Sequence, residues 1–182
     1  MIHITLPDGS VKSFEKNVTP MDVAKSISEG FARNVISASF NGITIETATP
    51  LTTDGSLILY TWNNDEGKKA FWHSSAHVLA QALEALYPDF GEQVISEKDF
   101  KTIEDKMLEI ARGKHEFKMR SASKAEALSL YKDNEFKTEL IENLEDGTIT
   151  FCDHSTFTDL CRGGHIPNTG IIKAAKVLSV AG

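Results

Sequence analysis

Met1-Ile2-His3-Ile4-Thr5-Leu6, then Pro7-Asp8-Gly9-Ser10, then Val11-Lys12-Ser13-Phe14-Glu15, is the stretch that decides how the chain begins to fold. Ile2, Ile4 and Leu6 recur at period two, which puts alternate side chains on one face of a strand. Pro7 to Ser10 are turn residues, and Val11, Ser13 and Glu15 continue as the return strand. The stretch reads as a β-hairpin with one apolar face.

After the hairpin, Thr19-Pro20 opens a helix. Thr19 is its N-cap, Pro20 takes the first position, where no N–H is needed, and Asp22 sits at the positive end of the helix dipole. Val23, Ala24 and Ile27 form the apolar face, and Gly30 is expected to end the helix. Short strands follow at Ser37 to Phe40 and Ile43 to Ile45 around an Asn41-Gly42 turn, with a last strand from Ser56 to Thr61. This order predicts a small α+β domain, one helix packed across a mixed sheet.

From Asp65 the pattern changes. Asp65-Glu66-Gly67-Lys68-Lys69 reads as a polar junction, after which Phe71, Ala76, Val78, Leu79, Ala82, Leu83 and Leu86 keep a helical stripe until Tyr87-Pro88. A second helix is expected from Ser96 to Arg112 with Ile103, Met107 and Ile110 inward, and a third from Lys124 to Lys132. Beyond Thr148 the chain turns strand-like, through Ile149 to Cys152 and again from Ile171 to Val180.

The 182 residues, 41% hydrophobic and 25% charged, have ordinary globular composition with room for one or two domains. A net charge of -7 argues against a general nucleic-acid glue. One local basic cluster, Arg112, Lys114, Lys118, Arg120 and Lys124, fits either a solvated surface or contact with a phosphate backbone. No basic leader or roughly 18-residue apolar run is present, so a soluble, cytosolic chain with no membrane contact is expected. Cys152 and Cys161 are too few for a disulfide framework, which leaves metal binding or thiol chemistry as the more interesting use.

Two spacings carry candidate chemistry. His73-Ser-Ser-Ala-His77 projects two imidazoles from one helix face, one turn apart. The metalloprotease pattern is excluded, because Ser74 stands where its Glu would follow the first His. Cys161-Arg-Gly-Gly-His165 adds a thiol and a third imidazole, on a loop because of Gly163 and Gly164. Each pair alone is weak, and packed or exposed histidines account for either. Together they match the ligand set and number of a tetrahedral zinc site, and the 84 residues from His77 to Cys161 exclude a zinc finger and suit a cleft assembled by the fold. Cys152, His154, Trp62 and Trp72 read as packing or boundary residues.

Residues 1–62, with T-L-P-D-G-S, the helix start T-P-M-D-V-A and the F-N-G turn, resemble the TGS domain, a ubiquitin-like β-grasp module; an unrelated β-grasp domain fits that segment as well. The TGS-like part followed by H-x-x-x-H and by T-D-L-C-R-G-G-H-I-P-N-T-G resembles threonyl-tRNA synthetase. The resemblance implies a larger α+β editing domain over 63–182, with helices packed on an antiparallel sheet. It implies that His73, His77, Cys161 and His165 are editing-site residues, that Asp159 is the acidic residue two before the cysteine, and that Lys137 in N-E-F-K is the lysine near the reacting ester. The implied reaction is hydrolysis of seryl-tRNA mischarged on threonine tRNA, whose acceptor end is the partner. Zinc at His73, His77, Cys161 and His165 stays open, because related alanyl-type editing domains use this ligand pattern with metal whereas a threonyl-type site works through water and side chains. ATP and a further zinc belong to the aminoacylation domain, whose motifs are absent here, so a fragment or a stand-alone paralogue is expected. A homodimer is implied for the full-length enzyme and a monomer for the fragment.

One departure stands out. The family's G-P-x-x-x-x-G-F-Y-Y-D-like stretch after the first editing-domain helix is shortened or missing near 88–95. That keeps two alternatives in view: a catalytically impaired tRNA- or zinc-binding accessory module, and an alanyl-tRNA-type editing domain.

Overall fold

The computed structural model describes residues 1–88 and 94–180, which form two compact units: 1–116 with 164–180, and 117–163. The architecture is α+β. The expected shortening near 88–95 falls mainly on residues outside those described.

The first unit starts with the hairpin. Strands β1 (Ile2–Thr5) and β2 (Val11–Phe14) pair antiparallel, Ile2 opposite Phe14 and Thr5 opposite Val11. They join β3 (Ser37–Phe40), β4 (Ile43–Ile45) and β5 (Gly55–Tyr60) in a sheet of order β2-β1-β5-β3-β4, in which β1 and β5 run parallel. Ile2, Ile4, Leu6, Val23, Ala38, Leu51 and Leu57 make its core. Burying the period-two residues of β1 therefore fixes which face of the sheet turns inward.

Helix α1 (Pro20–Ile27) begins as expected, with a reciprocal capping box between Thr19 and Asp22. Hydrogen bonds from the Thr19 hydroxyl and backbone hold the Asp22 carboxyl below its ordinary value. The expected stop at Gly30 is corrected: α1 ends at Ile27, and Ser28 caps a second short helix, α2 (Glu29–Ala32), that contains Gly30. The extended backbone of Ser28 breaks the run, and its side chain accepts from Phe31 N–H.

Helix α3 (Asp65–Leu86) begins five residues before the expected Ala70 and takes in the polar junction. Asp65 and Glu66 in its first turn complement the dipole, so charged residues start the helix instead of preceding it. Gly67 is required there, because a Cβ would meet the Thr61 carbonyl oxygen at 2.1 Å. Ala76, placed in the expected apolar stripe, is exposed. Trp62 stands edge-on to Phe71 at 5.1 Å, whereas Trp72 is 60% exposed.

Ser96 caps a 3-10 turn, Glu97–Asp99, that leads into α4 (Phe100–Arg112), with Ile103, Met107 and Ile110 buried as expected. The expected strand over Ile171 to Val180 is not formed: a 3-10 turn spans Thr169–Ile171 and irregular backbone follows. Alternating apolar residues need a partner strand, and this segment is tied to a helix side chain instead. Glu104 of α4, 6% exposed, accepts from Val177 N–H at 3.0 Å and from Lys176 Nζ at 3.0 Å.

The Val177 N–H first, and the Lys176 ammonium next, hold the Glu104 carboxyl below its ordinary value of 4.5. A carboxyl lowered on folding contributes stability that is full above its unfolded pKa and is lost as pH falls through the folded one. The Val177 amide resonance should therefore titrate on the acid side of 4.5. In Glu104→Gln that titration should vanish, as measured by two-dimensional NMR.

The second unit is a three-stranded antiparallel sheet, β6 (Lys118–Ser121), β7 (Thr150–His154) and β8 (Phe157–Leu160), with β7 central. Helices α5 (Lys124–Leu130) and α6 (Glu135–Glu142) close its core of Ala122, Ala127, Ile141, Ile149 and Phe151. Neither β6 nor α6 was expected. His154 and Cys152 are buried, the His154 ring 4.8 Å from Phe117 and 5.3 Å from Phe157, which fits their reading as packing residues.

Candidate functional site

In the first unit α3 carries His73 and His77 one turn apart, their Nε2 atoms 3.1 Å from each other. The His165 ring joins them, its centroid 4.7 Å from His73 and 5.1 Å from His77. One nitrogen from each of the three rings lies within 4.8 Å of the others. His165 is fully buried, His77 nearly so, and His73 partly open to solvent. Three imidazoles at this range can share one proton, one water or one ion.

Local chemistry explains how His165 reaches the other two. Gly163 and Gly164 both have positive φ, at 91° and 88°, conformations that L side chains rarely adopt. The resulting bend aims two successive N–H groups at one carboxylate, that of Glu46. Gly164 N–H donates to Glu46 Oε1 at 3.0 Å and His165 N–H to Oε2 at 3.1 Å. The His165 ring meets the same group, Nδ1 to Oε1, at 2.9 Å. One residue on, Ile166 N–H donates to Ser74 Oγ at 3.0 Å, and Ser74 Oγ donates to Ala70 C=O at 2.7 Å. Ser74, which follows the first histidine of the pair, thus ties the His165 loop to α3.

In the second unit Asn134 caps α6, and Lys137 sits in its first turn. Lys137 Nζ meets Asp159 Oδ1 at 2.8 Å and lies 4.2 Å from the centre of the Tyr131 ring. Tyr131 is itself fixed by donating its hydroxyl to Thr158 C=O at 3.0 Å. Both charged side chains are largely but not fully buried, so the pair is partly screened by water. Cys161 continues from β8, its N–H on Thr150 C=O at 3.0 Å, and its Sγ accepts from Gly163 N–H at 3.4 Å.

The six expected site residues therefore fall into a histidine cluster in one unit, and Lys137, Asp159 and Cys161 in the other. Cys161 precedes His165 by only four residues. Glu46 and Ser74 were not expected. Ser74 lay in plain sight inside the His73–His77 spacing, but Glu46 is 119 residues from its partner and carries no local signal. Within the basic cluster, Arg120 is held by Glu126 and Asp153, and Lys124 Nζ donates to the Glu142 and Leu144 carbonyls. Those two cations are engaged in intramolecular bonds.

Two known families meet in this chain. Residues 2–61 match the TGS domain, and residues 149–182 match the threonyl and alanyl tRNA synthetase second additional domain. The chain thus matches a TGS β-grasp module near its start and a synthetase second additional domain near its end. Its relatives narrow the match. All of the chain aligns with the threonine–tRNA ligase of Flavobacterium johnsoniae at 72% identity and with that of Flavobacterium psychrophilum at 67%, in each case covering 31% of the relative. That of Cytophaga hutchinsonii is 48% identical, again over the whole chain and 31% of the relative. The chain corresponds to the N-terminal region of bacterial-type threonyl-tRNA synthetases. It spans about a third of the length of the curated relatives it matches.

The first two alignments run over 200 positions, 18 more than the chain's 182 residues. These relatives thus carry residues that this chain lacks. No helix among the described residues is long and apolar enough to cross a membrane.

Proposed function

We propose that this chain is the editing portion of a threonyl-tRNA synthetase and hydrolyses the ester of seryl-tRNA mischarged on threonine tRNA. The observation that carries the reading is the convergence of His73, His77 and His165, with two Nε2 atoms 3.1 Å apart, in a chain of editing-domain ancestry. The need for such a site is physical. A threonine pocket must reject serine, which lacks one methyl, and a methyl is worth only about 1–3 kcal/mol. A second, hydrolytic site supplies the missing discrimination.

In the proposed reaction a neutral imidazole of the His73–His77 pair takes a proton from water as the water oxygen adds to the ester carbonyl. The bond between the acyl carbon and the ribose oxygen then breaks, and that oxygen receives the proton. Serine and free tRNA leave. Lys137 is assigned to the negative charge that builds on the carbonyl oxygen or to the terminal ribose. Asp159 orients Lys137 or the substrate amine, and Cys161 with His165 shapes the serine pocket. The partner is the acceptor end of threonine tRNA. A cytoplasmic setting and a homodimeric full-length enzyme follow from the same kinship.

Zinc is a second possibility for the same residues. His73, His77 and His165 offer one nitrogen each, within 4.8 Å of one another, as donors that could hold a metal ion, and the family resemblance adds Cys161 as the fourth. The 3.1 Å between the His73 and His77 nitrogens is close to the roughly 3.3 Å edge of a tetrahedron with zinc–nitrogen bonds of about 2.0–2.1 Å. A zinc ion there would supply Lewis acidity; the same 3.1 Å equally fits an N–H···N bond between the two rings.

The test is incubation with seryl-tRNA charged on threonine tRNA, with and without chelator, beside alanyl-tRNA. Serine release well above a His73→Ala control is expected, and release equal to that control would overturn the reading. Retained acceptor-stem affinity without turnover would identify a binding module, and preference for alanyl-tRNA an alanyl-type editing domain. Loss with chelator, restored by zinc, would assign the metal a role.

A further inference from the structure

We infer that Glu46, a residue of the TGS module, is a positioning residue for the histidine cluster: it holds the His165 ring in the tautomer whose Nδ1 carries the proton and whose Nε2 is unprotonated. The inference builds on the proposed hydrolytic site but is tested separately from it.

Glu46 follows β4 directly, and its carbonyl accepts from Thr49 N–H at 3.0 Å, so the chain turns sharply there. Its side chain retains 14% of its exposure and meets three N–H-bearing atoms of one short segment: Gly164 N, His165 N and His165 Nδ1. An ionised carboxylate only accepts, so the backbone bonds by themselves explain a structural anchor for the loop. The ring bond goes further. A neutral imidazole bonded to a carboxylate through Nδ1 must place its one proton on that nitrogen, which leaves Nε2 as an acceptor.

His165 is fully buried, and its ring lies 4.7 and 5.1 Å from the rings of the histidine pair. A lone pair there suits a water, a substrate N–H or a metal. With the other tautomer, Nε2 would be a donor and could serve none of these as an acceptor. Orientation of a reactive histidine by a carboxylate on its far nitrogen is a general device, and removing such a partner commonly costs about 10- to 100-fold in affinity or activity. Here the carboxylate comes from a module other than the one that carries the histidines. The β-grasp part thereby contributes directly to the chemistry of the cluster, beyond any part it has in holding tRNA.

The experiment has two arms on the full chain. In the first, long-range proton–nitrogen NMR of chelator-treated, nitrogen-15-labelled protein reads the His165 tautomer at a pH where the ring is neutral. The Nδ1-protonated form is expected, and the Nε2-protonated form overturns the inference whatever the activity. In the second, Glu46→Gln keeps the side-chain volume but faces an amide NH2 toward one of the three donors. For seryl-tRNA hydrolysis kcat is expected to fall about 10- to 100-fold with KM within about twofold of wild type, and an unchanged kcat overturns the inference. If wild-type protein proves inactive, the proposed function fails while the first arm still decides for or against Glu46. If Glu46→Gln does not fold, the first arm, made on wild-type protein, decides alone.

Discussion

Phe151→Ala is expected to unfold the 117–163 unit, seen as loss of amide protection along β6, β7 and β8 in hydrogen exchange. Phe151 is fully buried on the middle strand, in one core with residues from both helices. Its ring meets the Arg120 guanidinium at 4.8 Å and the Tyr131 ring edge-on at 6.0 Å. Truncating a buried phenylalanine to alanine costs about 3–5 kcal/mol, the lost transfer energy plus the cavity left behind. A unit of only 47 residues has little reserve against that, because small cores bury a low fraction of their surface. Phe151→Leu refills most of the volume and should keep the sheet protected. If Phe151→Ala retained wild-type protection, the stability of this unit would have to come from somewhere other than the apolar layer that Phe151 shares with Ile141 and Ile149.

Much of the first unit was legible because its signals are local. The period-two residues of β1, the Asn41-Gly42 turn and the Thr19–Asp22 capping box each specify a conformation within a few residues. The start of α3 was misplaced because Asp65 to Lys69 carries charge, and charge reads as a junction until its fit to the helix dipole is considered. Helix α6 was missed for a related reason. Phe136 is 86% exposed and Leu140 54% exposed, so its apolar residues do not mark the buried face, which is held by Ile141. Strand β6 hid inside the basic cluster: Lys118 and Ser121 point to solvent while Met119 and Arg120 are only half-buried, as on an edge strand.

The segment from Ile171 to Val180 shows the opposite error. Its apolar alternation is real, but a strand exists only when another strand receives it, and Glu104 takes the Val177 N–H instead. The same limit applies to the site. The spacing of His73 and His77 was readable because helix geometry fixes it, whereas the bonds that seat His165, from Glu46 and Ser74, join residues 119 and 92 positions apart. Such contacts leave no periodic trace. Only the fold brings them together.

His77→Ala is expected to lower the single-turnover rate of seryl-tRNA hydrolysis by about 10²- to 10⁴-fold, the range spanned by loss of a positioned acid or base. His77 is nearly buried and its Nε2 is 3.1 Å from that of His73, so whichever ring accepts the water proton, the other bears on its tautomer and its orientation. Two residues that act as one unit show non-additive losses. The double variant His73→Ala with His77→Ala should therefore be little slower than the worse single variant. Multiplied losses would instead mean that the two rings act on separate steps. His3 provides the control, being an exposed histidine of the same unit whose Nδ1 meets the exposed Ser13 hydroxyl at 3.0 Å, so His3→Ala should hydrolyse at the wild-type rate. Melting temperatures separate chemistry from packing: a His77→Ala protein that melts with wild type and no longer hydrolyses assigns the loss to the imidazole, whereas activity that falls only in step with stability would remove His77 from the reaction.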